Sequence, residues 1–456
     1  MKLAKLSMVA ITVLGLGGHA YAADTLADAF KNGKVAGTLK AWYWDRTDEG
    51  NFGGTTRNEN ITNFGIELNY VTDSFNGFRT GFTFQGSSTP FAEANAKALF
   101  NREESGQGSV LSEAYLAYAF GKTDIKAGRH YITTPLLSGN PTRIFRESFE
   151  GATITNADLP QTNVYANYVQ KFQGRTGDVT ASGANTYDAP EFAKRIILAG
   201  AGPEAFMFED VYSFGAINTS IPNLKLSAQF VKATDVTMST TTPPYTLNGT
   251  GTDDISFYYA EANYVVPMNN YKLNFDANFR GSRAGSGLDI YHIDGDMLGL
   301  RAGFSEFNGF GASLAYTTVS NDDDALLGLG NGPSSYSILA IRGPLVFTSF
   351  AGMDSYKLST TYDFSKLGVT GLTSELAYVT AKQSAPNAST ISSKLNEFAE
   401  ITGYSAALTY AVPYVKGLTT QLTYVAFEKE ITNDATNTLV SKRDTNEFWF
   451  NANYKF

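Results

Sequence analysis

The sequence contains no cysteine and has little charge for its length. Cys is absent from its 456 residues, and charged residues make up 17%, against about 25% in an average soluble protein. The absence of Cys excludes a disulfide scaffold, thiol catalysis and thiolate metal sites. The formal net charge is −9, whereas proteins that bind nucleic acid concentrate Lys and Arg to neutralise phosphates. Nucleic acid is therefore not an expected partner.

The N-terminal residues have the pattern of a signal peptide. Two lysines precede an apolar stretch from Met8 to Leu16, and Ala20-Tyr21-Ala22 forms a small-x-small cleavage site. The apolar stretch is shorter than the roughly 20 residues that a spanning helix needs. We expect residues 1–22 to be removed and residues 23–456 to form a single domain.

Long hydrophobic runs are also missing, and a period of two takes their place. No later segment has 18 consecutive apolar residues, which excludes a helical membrane protein. In the last segment of the chain, apolar side chains alternate with Trp449, Asn451, Asn453 and Lys455. The same alternation recurs at 64–70, 273–280, 298–304 and 404–410. Each segment is typical of a strand with one apolar and one polar face.

Three features favour a transmembrane barrel over a soluble sandwich. The alternating segments run for about 10 residues, the length that a tilted strand needs to cross a bilayer. Aromatic residues stand where many of them end, as in the girdles of outer-membrane barrels. Short connections such as 121–123 and 306–309 alternate with long ones such as 88–108 and 320–352. We predict an all-β, antiparallel, multi-pass barrel in the Gram-negative outer membrane.

Counting the segments predicts about 18 strands, with 16 as an alternative because two segments are weak. The weak ones are 151–156, which is short, and 209–218, whose aromatic content is irregular. The other predicted strands are 35–45, 60–71, 76–87, 109–120, 123–131, 162–172, 224–234, 255–266, 271–281, 296–305, 310–319, 353–364, 372–382, 400–411, 418–430 and 444–456. A barrel of this size is too wide for side chains to fill, so we expect a water-filled lumen.

One long connection differs from the others in composition. Residues 132–150, here called the constriction loop, combine charge with more apolar residues than a solvated loop needs. The charged side chains in and just before it are Arg129, Arg143, Arg146, Glu147 and Glu150. An ordinary surface loop with salt bridges is one interpretation. A loop folded into the lumen, with apolar residues on the wall and charges in the pore, accounts for both properties.

Arg129 raises a difficulty within this interpretation. Strict alternation places it on the face of Ile125 and Ala127, where it would point towards lipid. Because Arg at the bilayer midplane costs about 2–4 kcal/mol, we expect either a bulge near Gly128 or a position above the membrane.

At this point the sequence resembles a known family. The opening segment from Thr25 to Tyr43, Gly128-Arg129-His130 with Thr134-Pro135-Leu136, Arg143, and Ser148-Phe149-Glu150-Gly151 resemble OprD-type outer-membrane porins. The campylobacterial major outer-membrane porins are similar. The resemblance implies an 18-stranded barrel, a homotrimer and a third loop that narrows the channel. It also implies a ladder of basic side chains that guides carboxylate-bearing solutes, and some members take up basic amino acids or small peptides.

Several charged residues fall on the polar faces of the predicted strands and are candidates to line the pore. The basic ones are candidate rungs of the ladder, and they face acidic residues that include Glu67 and Glu261. The predicted pore-lining residues are Lys40, Arg79, Glu113, Lys225, Asp276, Arg280 and Arg301. We therefore expect a porin for passive diffusion of ions and small hydrophilic solutes, surrounded by outer-membrane lipid and lipopolysaccharide, with no cofactor.

Two other classes of barrel remain as alternatives. An outer-membrane enzyme needs a nucleophile with a base, but only His130 and His292 follow the signal peptide as histidine bases, and neither accompanies a Gly-x-Ser-x-Gly motif. An adhesive or structural barrel would need a blocked lumen. Asp322, Asp323 and Asp324 supply oxygen ligands that Ca²⁺ prefers but lack the spacing of an EF-hand loop. A solvated acidic loop is the favoured interpretation there.

Overall fold

The computed structural model describes residues 23–50, 56–177, 187–201, 205–239, 250–339, 348–384, 397–433, 436 and 438–456. The predicted signal peptide, 1–22, lies outside the described residues. Helices in the described part of the chain are short: α1 (Leu26–Lys31), α2 (Ala94–Leu99) and two 3-10 helices, Ser286–Tyr291 and Phe364–Leu367. None of these is long and apolar enough to cross a membrane.

The main element is a closed antiparallel barrel of 18 strands. Each strand pairs with the next, and the first strand pairs with the last from Thr38–Lys455 to Gly50–Arg443, which closes the sheet. The predicted fold class is confirmed, and 18 strands replace the alternative of 16. The strands are β1 (Lys34–Gly50), β2 (Arg57–Val71), β3 (Phe78–Ser88), β4 (Gly108–Phe120), β5 (Thr123–His130), β6 (Ser148–Asn156), β7 (Thr162–Gln173), β8 (Val211–Asn218), β9 (Leu224–Ser239), β10 (Thr250–Pro267), β11 (Lys272–Ala284), β12 (Asp296–Phe307), β13 (Phe310–Val319), β14 (Met353–Asp363), β15 (Leu372–Gln383), β16 (Glu397–Ala411), β17 (Leu418–Asn433) and β18 (Thr438–Lys455).

The apolar face of the barrel points outwards. In β11, Phe275 and Phe279 are 46% and 44% exposed, whereas Asn278 and Arg280 on the other face are each 3% exposed. A soluble sandwich would bury the phenyl rings and expose the polar residues. The observed orientation suits a barrel whose outer surface contacts lipid.

Tight turns join the strands at the end where connections are short. Between β2 and β3, Asn76 and Gly77 have φ values of 50° and 86°, and between β12 and β13, Asn308 and Gly309 have φ values of 49° and 88°. Asn and Gly tolerate this left-handed conformation, and the Asn-Gly pair is a strong hairpin signal. These two turns explain why β3 and β13 begin where they do.

Strands extend further than predicted at the end with long connections. β9 was predicted to end at 234 but runs to Ser239. β18 was predicted to begin at 444 but begins at Thr438. In β9 the alternation continues through the buried Val236 and Met238 on either side of Thr237, whereas the residues added to β18 are mostly polar. Their backbone groups pair nonetheless, because a neighbouring strand supplies hydrogen-bond partners for each residue.

The described residues of the long connections fold back into the barrel and pack on one another. We call residues 89–107 loop A, 174–210 loop B and 320–352 loop C. Within loop B, Arg195–Ala199 pairs with Ala205–Met207 and with Gly328–Leu329 of loop C. Leu136 of the constriction loop, Leu198 of loop B and Leu329 of loop C are fully buried in one apolar cluster against the wall. Packed protein therefore occupies this part of the interior, beside the wall.

Candidate functional site

The constriction loop runs along the inner wall formed by β1 and β2. Lys40, on the inward face of β1, donates from Nζ to the carbonyl oxygen of Ile144 at 2.9 Å. The Ile144 side chain packs where Gly65 of β2 has no side chain. The wall therefore provides both a hydrogen-bond donor and a recess for this part of the loop.

Arg146 brings a half-buried charge into the interior. Its guanidinium carbon lies 3.7 Å from the ring centroid of Tyr131, and the Tyr131 hydroxyl donates to Oε1 of Glu67 at 3.4 Å. Glu67 in turn lies 3.5 Å from Nζ of Lys40. The result is a cluster of both charge signs on the inner wall beside the constriction loop.

Arg143 is also inside the barrel, but it is almost completely buried. Its guanidinium carbon lies 4.9 and 4.8 Å from the ring centroids of Trp44 and Trp449. Its Nη2 lies 3.2 Å from Oε2 of Glu103 in loop A. Burial lowers the pKa of Arg143 to about 10, against the opposing effect of nearby carboxylates such as Glu104. This guanidinium ties two loops to the wall, which corrects the expectation that it projects into the pore.

Glu147 has a similar linking position. Its carboxylate is fully buried and accepts hydrogen bonds from the backbone N–H groups of Asn140 and Asn331 at 2.9 and 3.1 Å. Arg175 of loop B lies 3.1 Å away, from Nε to Oε1. Burial lowers the pKa of Arg175 to about 10, and the attraction of Glu147 opposes that change. Glu147 thus connects the constriction loop to loops B and C.

Arg129 and Glu150 lie elsewhere, on the outward face of the barrel. They are paired residues on β5 and β6, with Arg129 Nε 2.9 Å from Glu150 Oε2 and Lys171 Nζ 2.9 Å from Oε1. The register of β5 is continuous with both neighbours, so strict alternation directs Arg129 away from the lumen. This corrects the predicted constriction position of both residues.

The register shows no bulge at Gly128, so that expectation is wrong. A bulge occurs instead in β7, where Gln170 is inserted opposite the bond between Glu150 and Gly151. Arg129 lies at the end of β5 that leads into the constriction loop, and its guanidinium also stacks 4.3 Å from the Phe192 ring. The Glu150 carboxylate and the Phe192 ring offset the cost of placing the Arg129 charge on the outward face.

The predicted pore-lining residues all lie on inward faces of their strands. Most are paired with a charge or polar group on the wall. Lys40 pairs with Glu67, Arg79 with Asp124, and Arg301 with Asp276 at 2.8 Å. Glu113 accepts hydrogen bonds from the Thr83 hydroxyl and the Tyr131 N–H. Lys225 shares its face with buried Ser227 and Gln229.

Loop C forms a second inward group on the opposite stretch of the wall. The Tyr336 hydroxyl donates to Oε1 of Glu261 at 2.6 Å, and Arg301 lies 4.6 Å from the Tyr336 ring centroid. Arg280 donates to the carbonyl oxygen of Leu327 at 3.2 Å. Two wall regions therefore carry charged side chains in contact with an inward loop.

Sequence reasoning did not find several residues of this site. Glu103 and Glu104 of loop A, together with Trp44 and Trp449, surround the constriction loop. The two tryptophans offered a signal, because they stand on the polar faces of β1 and β18, where a large aromatic ring needs a packing partner. Loop A offered none, because its contacts depend on pairings distant in sequence.

The acidic run in loop C is engaged in protein contacts. Asp323 Oδ1 lies 3.0 Å from His292 Nδ1, and the buried Asp324 accepts the Ala351 N–H at 2.7 Å. Asp322 is exposed. Among the described residues, no group of three or more His, Asp or Glu side chains could hold a metal ion.

Comparison with known proteins relates this barrel to a family. Residues 108–207, which include β4 to β7 and the constriction loop, match the model of the family described as outer membrane porin, OprD family. The chain folds as an OprD-type porin. No curated protein matches the sequence.

Solved structures of OprD-type porins share the fold over nearly the whole chain. Pseudomonas aeruginosa OccK8 (OprE) is 15% identical, with a TM-score of 0.68 and coverage of 94% of this chain and 99% of that one. Acinetobacter baumannii OccAB2 is 16% identical, with a TM-score of 0.71 and the same coverage of 94% and 99%. P. aeruginosa OccK9 (OpdG) is 14% identical, with a TM-score of 0.71, and covers 94% and 100%.

OprD-type porins are channels of the Gram-negative outer membrane and not enzymes. The histidines considered as bases for the enzyme alternative have other contacts. His130 is buried, with Nδ1 3.0 Å from the Gly128 carbonyl oxygen and Nε2 2.7 Å from the Thr153 hydroxyl. His292 lies beside Asp323 in an outer connection.

Proposed function

We propose that the protein is a porin through which ions and small hydrophilic solutes diffuse passively past a charged constriction. The constriction loop and the inward charges of the wall form that constriction. The solutes include amino acids, peptides and other carboxylates, which pair with basic side chains on the wall. No chemistry on the solute and no cofactor are required.

The observation that carries the proposal is the position of Arg146. It lies on a loop inside a closed barrel, is half-buried, and neighbours Tyr131, Glu67 and Lys40. Charges at a narrow point in a low-dielectric wall determine which ions pass, because each ion exchanges part of its hydration for those charges. Arg146 therefore has the right surroundings to influence ion selectivity.

The test is the reversal potential across a planar bilayer under a salt gradient. Arg146→Gln is compared with Arg129→Gln, a matched control that removes the same charge from the outward face. We expect discrete conductance from the unaltered protein and a shift towards cation preference in Arg146→Gln alone. A folded barrel without conductance would disprove the porin proposal. Equal shifts of the reversal potential in both variants would contradict a position of Arg146 in the constriction.

Solute class is tested by liposome swelling. Carboxylate-bearing solutes and neutral solutes of equal size are compared in the same proteoliposomes. We expect faster swelling with the carboxylates, and a smaller difference in Arg146→Gln. Equal rates for both solute classes would reject the carboxylate preference and leave a general porin.

The homotrimer and the surrounding lipopolysaccharide also belong to the proposal. Both follow from the resemblance to OprD-type porins, whose outward faces contact outer-membrane lipid. Light scattering in detergent distinguishes a trimer from a monomer by mass. A monomer would reject the trimer without affecting the proposed pore, which lies within one chain.

A further inference from the structure

The backbone of the constriction loop is held at Ile144 from two sides. The Ile144 N–H donates to both carboxyl oxygens of Glu104, each at 3.1 Å. Its carbonyl oxygen accepts from Lys40 Nζ at 2.9 Å. One peptide segment is thus fixed by an acidic group of loop A and a basic group of β1.

We call these contacts of Glu104 and Lys40 to the Ile144 backbone the clamp. The clamp is close to Arg146, whose charge the proposed function requires. Arg146 follows two residues later, and its own backbone is fixed by Gln85, which accepts its N–H at 2.7 Å and donates to its carbonyl oxygen at 2.9 Å. Gln85 is neutral at every pH, whereas Glu104 can ionise. Of these two anchors, Glu104 alone can change with conditions.

Glu104 is buried completely, and its backbone is anchored as well. Its side chain is 0% exposed, and its carbonyl oxygen accepts a hydrogen bond from Asn63 Nδ2 on β2 at 2.6 Å. Loop A therefore cannot shift at this point without breaking a contact to the wall. The Glu104 carboxyl is held in place, which is what a fixed acceptor for the Ile144 N–H needs.

We propose that Glu104 is a positioning residue of the constriction: it accepts the Ile144 N–H, fixes the constriction loop against β1 and β2, and so determines where Arg146 carries its charge. This inference rests on the proposed function. Glu104 acts through the loop backbone and is not itself proposed to touch a solute.

The charges around Glu104 give the clamp a pH dependence. Arg143 of the constriction loop, Lys40 of β1 and Arg175 of loop B face it. Each of these cations lies beside another carboxylate: Glu103 at 3.2 Å, Glu67 at 3.5 Å and Glu147 at 3.1 Å, respectively.

Burial raises the pKa of Glu104 to about 8, although the three cations oppose the change. At neutral pH the carboxyl is therefore mostly protonated, and its carbonyl oxygen still accepts the Ile144 N–H. Ionisation places a second negative charge beside Glu103, so Arg143 is attracted to both carboxylates. Ionisation also strengthens the hydrogen bond from the Ile144 N–H. Both the charge near Arg146 and the strength of the contact that holds the loop therefore differ between the two protonation states.

The first experiment measures reversal potential at two pH values for three variants and the unaltered chain. One pH is well below the pKa of Glu104, about 8, and the other lies between it and that of Arg143, about 10. Glu104→Gln keeps an acceptor oxygen and cannot ionise, whereas Glu104→Ala removes the acceptor. Glu93→Ala is the matched control, because Glu93 is an exposed carboxylate of the same loop without a side-chain cap bond.

We expect the unaltered chain and Glu93→Ala to change selectivity between the two pH values. Glu104→Gln is expected to keep the low-pH selectivity at both, and Glu104→Ala to differ from the unaltered chain at both. An equal pH change in the unaltered chain and in Glu104→Gln would overturn the inference. If Glu104→Ala does not fold, the comparison with Glu104→Gln still decides.

The second experiment follows the loop without relying on conductance. Because the chain has no native Cys, Arg146→Cys creates a single thiol, and its rate of modification by a charged thiosulfonate reports loop position. Loss of one buried hydrogen bond is worth roughly tenfold in the population of displaced loop. We expect a change of about that size when Glu104→Ala is added, and little change with Glu104→Gln at neutral pH.

An unchanged labelling rate in Glu104→Ala would overturn the positioning role. The two experiments also separate the inference from the proposed function. Altered labelling in a barrel that does not conduct would support the positioning role and reject the porin. Ion selectivity that depends on Arg146 but not on Glu104 would support the porin and reject the positioning role of Glu104.

Discussion

Arg143 shows how the interior uses a charge without exposing it. Its guanidinium is 4% exposed and lies beside the stacked rings of Trp44 and Trp449, with Glu103 as its carboxylate partner. Removing one partner of a buried ion pair leaves the other charge desolvated, which is more costly than never having buried the pair. Arg143 therefore stabilises the packed arrangement of loop A and the constriction loop.

Arg143→Ala is expected to lower the free energy of unfolding by about 3 kcal/mol, because it leaves buried carboxylate charge less compensated. The measurement is the urea midpoint of the heat-modifiable, fast-migrating form in electrophoresis. Arg129→Ala serves as the control and should cost less than about 1 kcal/mol, because its ion pair is partly exposed to solvent. Equal losses in both variants would contradict a buried role for Arg143.

Glu104 makes stability depend on pH in a defined direction. Its pKa is raised to about 8 in the folded protein, against about 4.3 in an unfolded chain. Between these values the folded protein holds the extra proton, so this contribution to stability is complete below the unfolded pKa and is lost as pH rises to about 8. We expect Glu104→Gln to flatten the fall in urea midpoint over that window. Parallel curves for the two proteins would refute this.

At the scale of single elements, the strands could be predicted because their signal is local. Phe275 and Phe279 alternate with Asn278 and Arg280 within β11 itself, and the faces of that strand follow from the alternation. The weak segment predicted at 151–156 proved to be β6, Ser148–Asn156. Its first residues lacked a clear alternation because they begin where the constriction loop ends.

Gly128 allows β5 to pass close to β4. Its φ is 118°, and a Cβ there would collide with the carbonyl oxygen of Ala114. We expect Gly128→Ala to destabilise the barrel by about 1–3 kcal/mol, through backbone strain and this collision. Gly121→Asn is the control, because Gly121 has a φ of 55° and open space around it, and Asn tolerates that conformation. The measurement is the urea midpoint of each variant. An equal loss of stability in Gly121→Asn would contradict strain and collision at Gly128 as the cause.

At the scale of the whole molecule, the first and last strands are joined by side chains as well as by backbone. Arg46 of β1 lies 2.7 Å from Glu447 of β18, from Nε to Oε1. The indole N–H groups of Trp42 and Trp44 donate to Asn453 and Asn451 across the same pair of strands. These contacts reinforce the closing seam of the barrel.

A double-mutant cycle on Arg46→Ala and Glu447→Ala measures the ion pair at this seam. We expect a coupling energy of about 1–3 kcal/mol, because the two side chains are in contact and buried. Urea midpoints of the single and double variants, refolded into detergent micelles, give the value. Strict additivity would mean that the pair does not support closure.

The candidate site could be predicted only in part, because its geometry depends on the whole molecule. Alternation placed Lys40 and Arg301 on inward faces, where the structure has them. It also indicated an outward Arg129, whereas the composition of the loop and the resemblance to OprD-type porins suggested a position in the constriction. Glu103 and Arg143 are separated by 40 residues, and no local pattern links loop A to the constriction loop. The positions of these side chains therefore depend on long-range packing between loops, which a local sequence pattern does not predict.

The three tryptophans of the chain all lie at the closing seam. Trp44 and Trp449 are stacked with ring centroids 3.5 Å apart, and Trp42 is stacked 6.3 Å from Trp44. Indole emission and the exciton-coupled circular dichroism of the stacked pair therefore both arise from this one place. During insertion into vesicles, these tryptophan signals therefore report the pairing of β1 with β18, which closes the barrel, without an added dye or label.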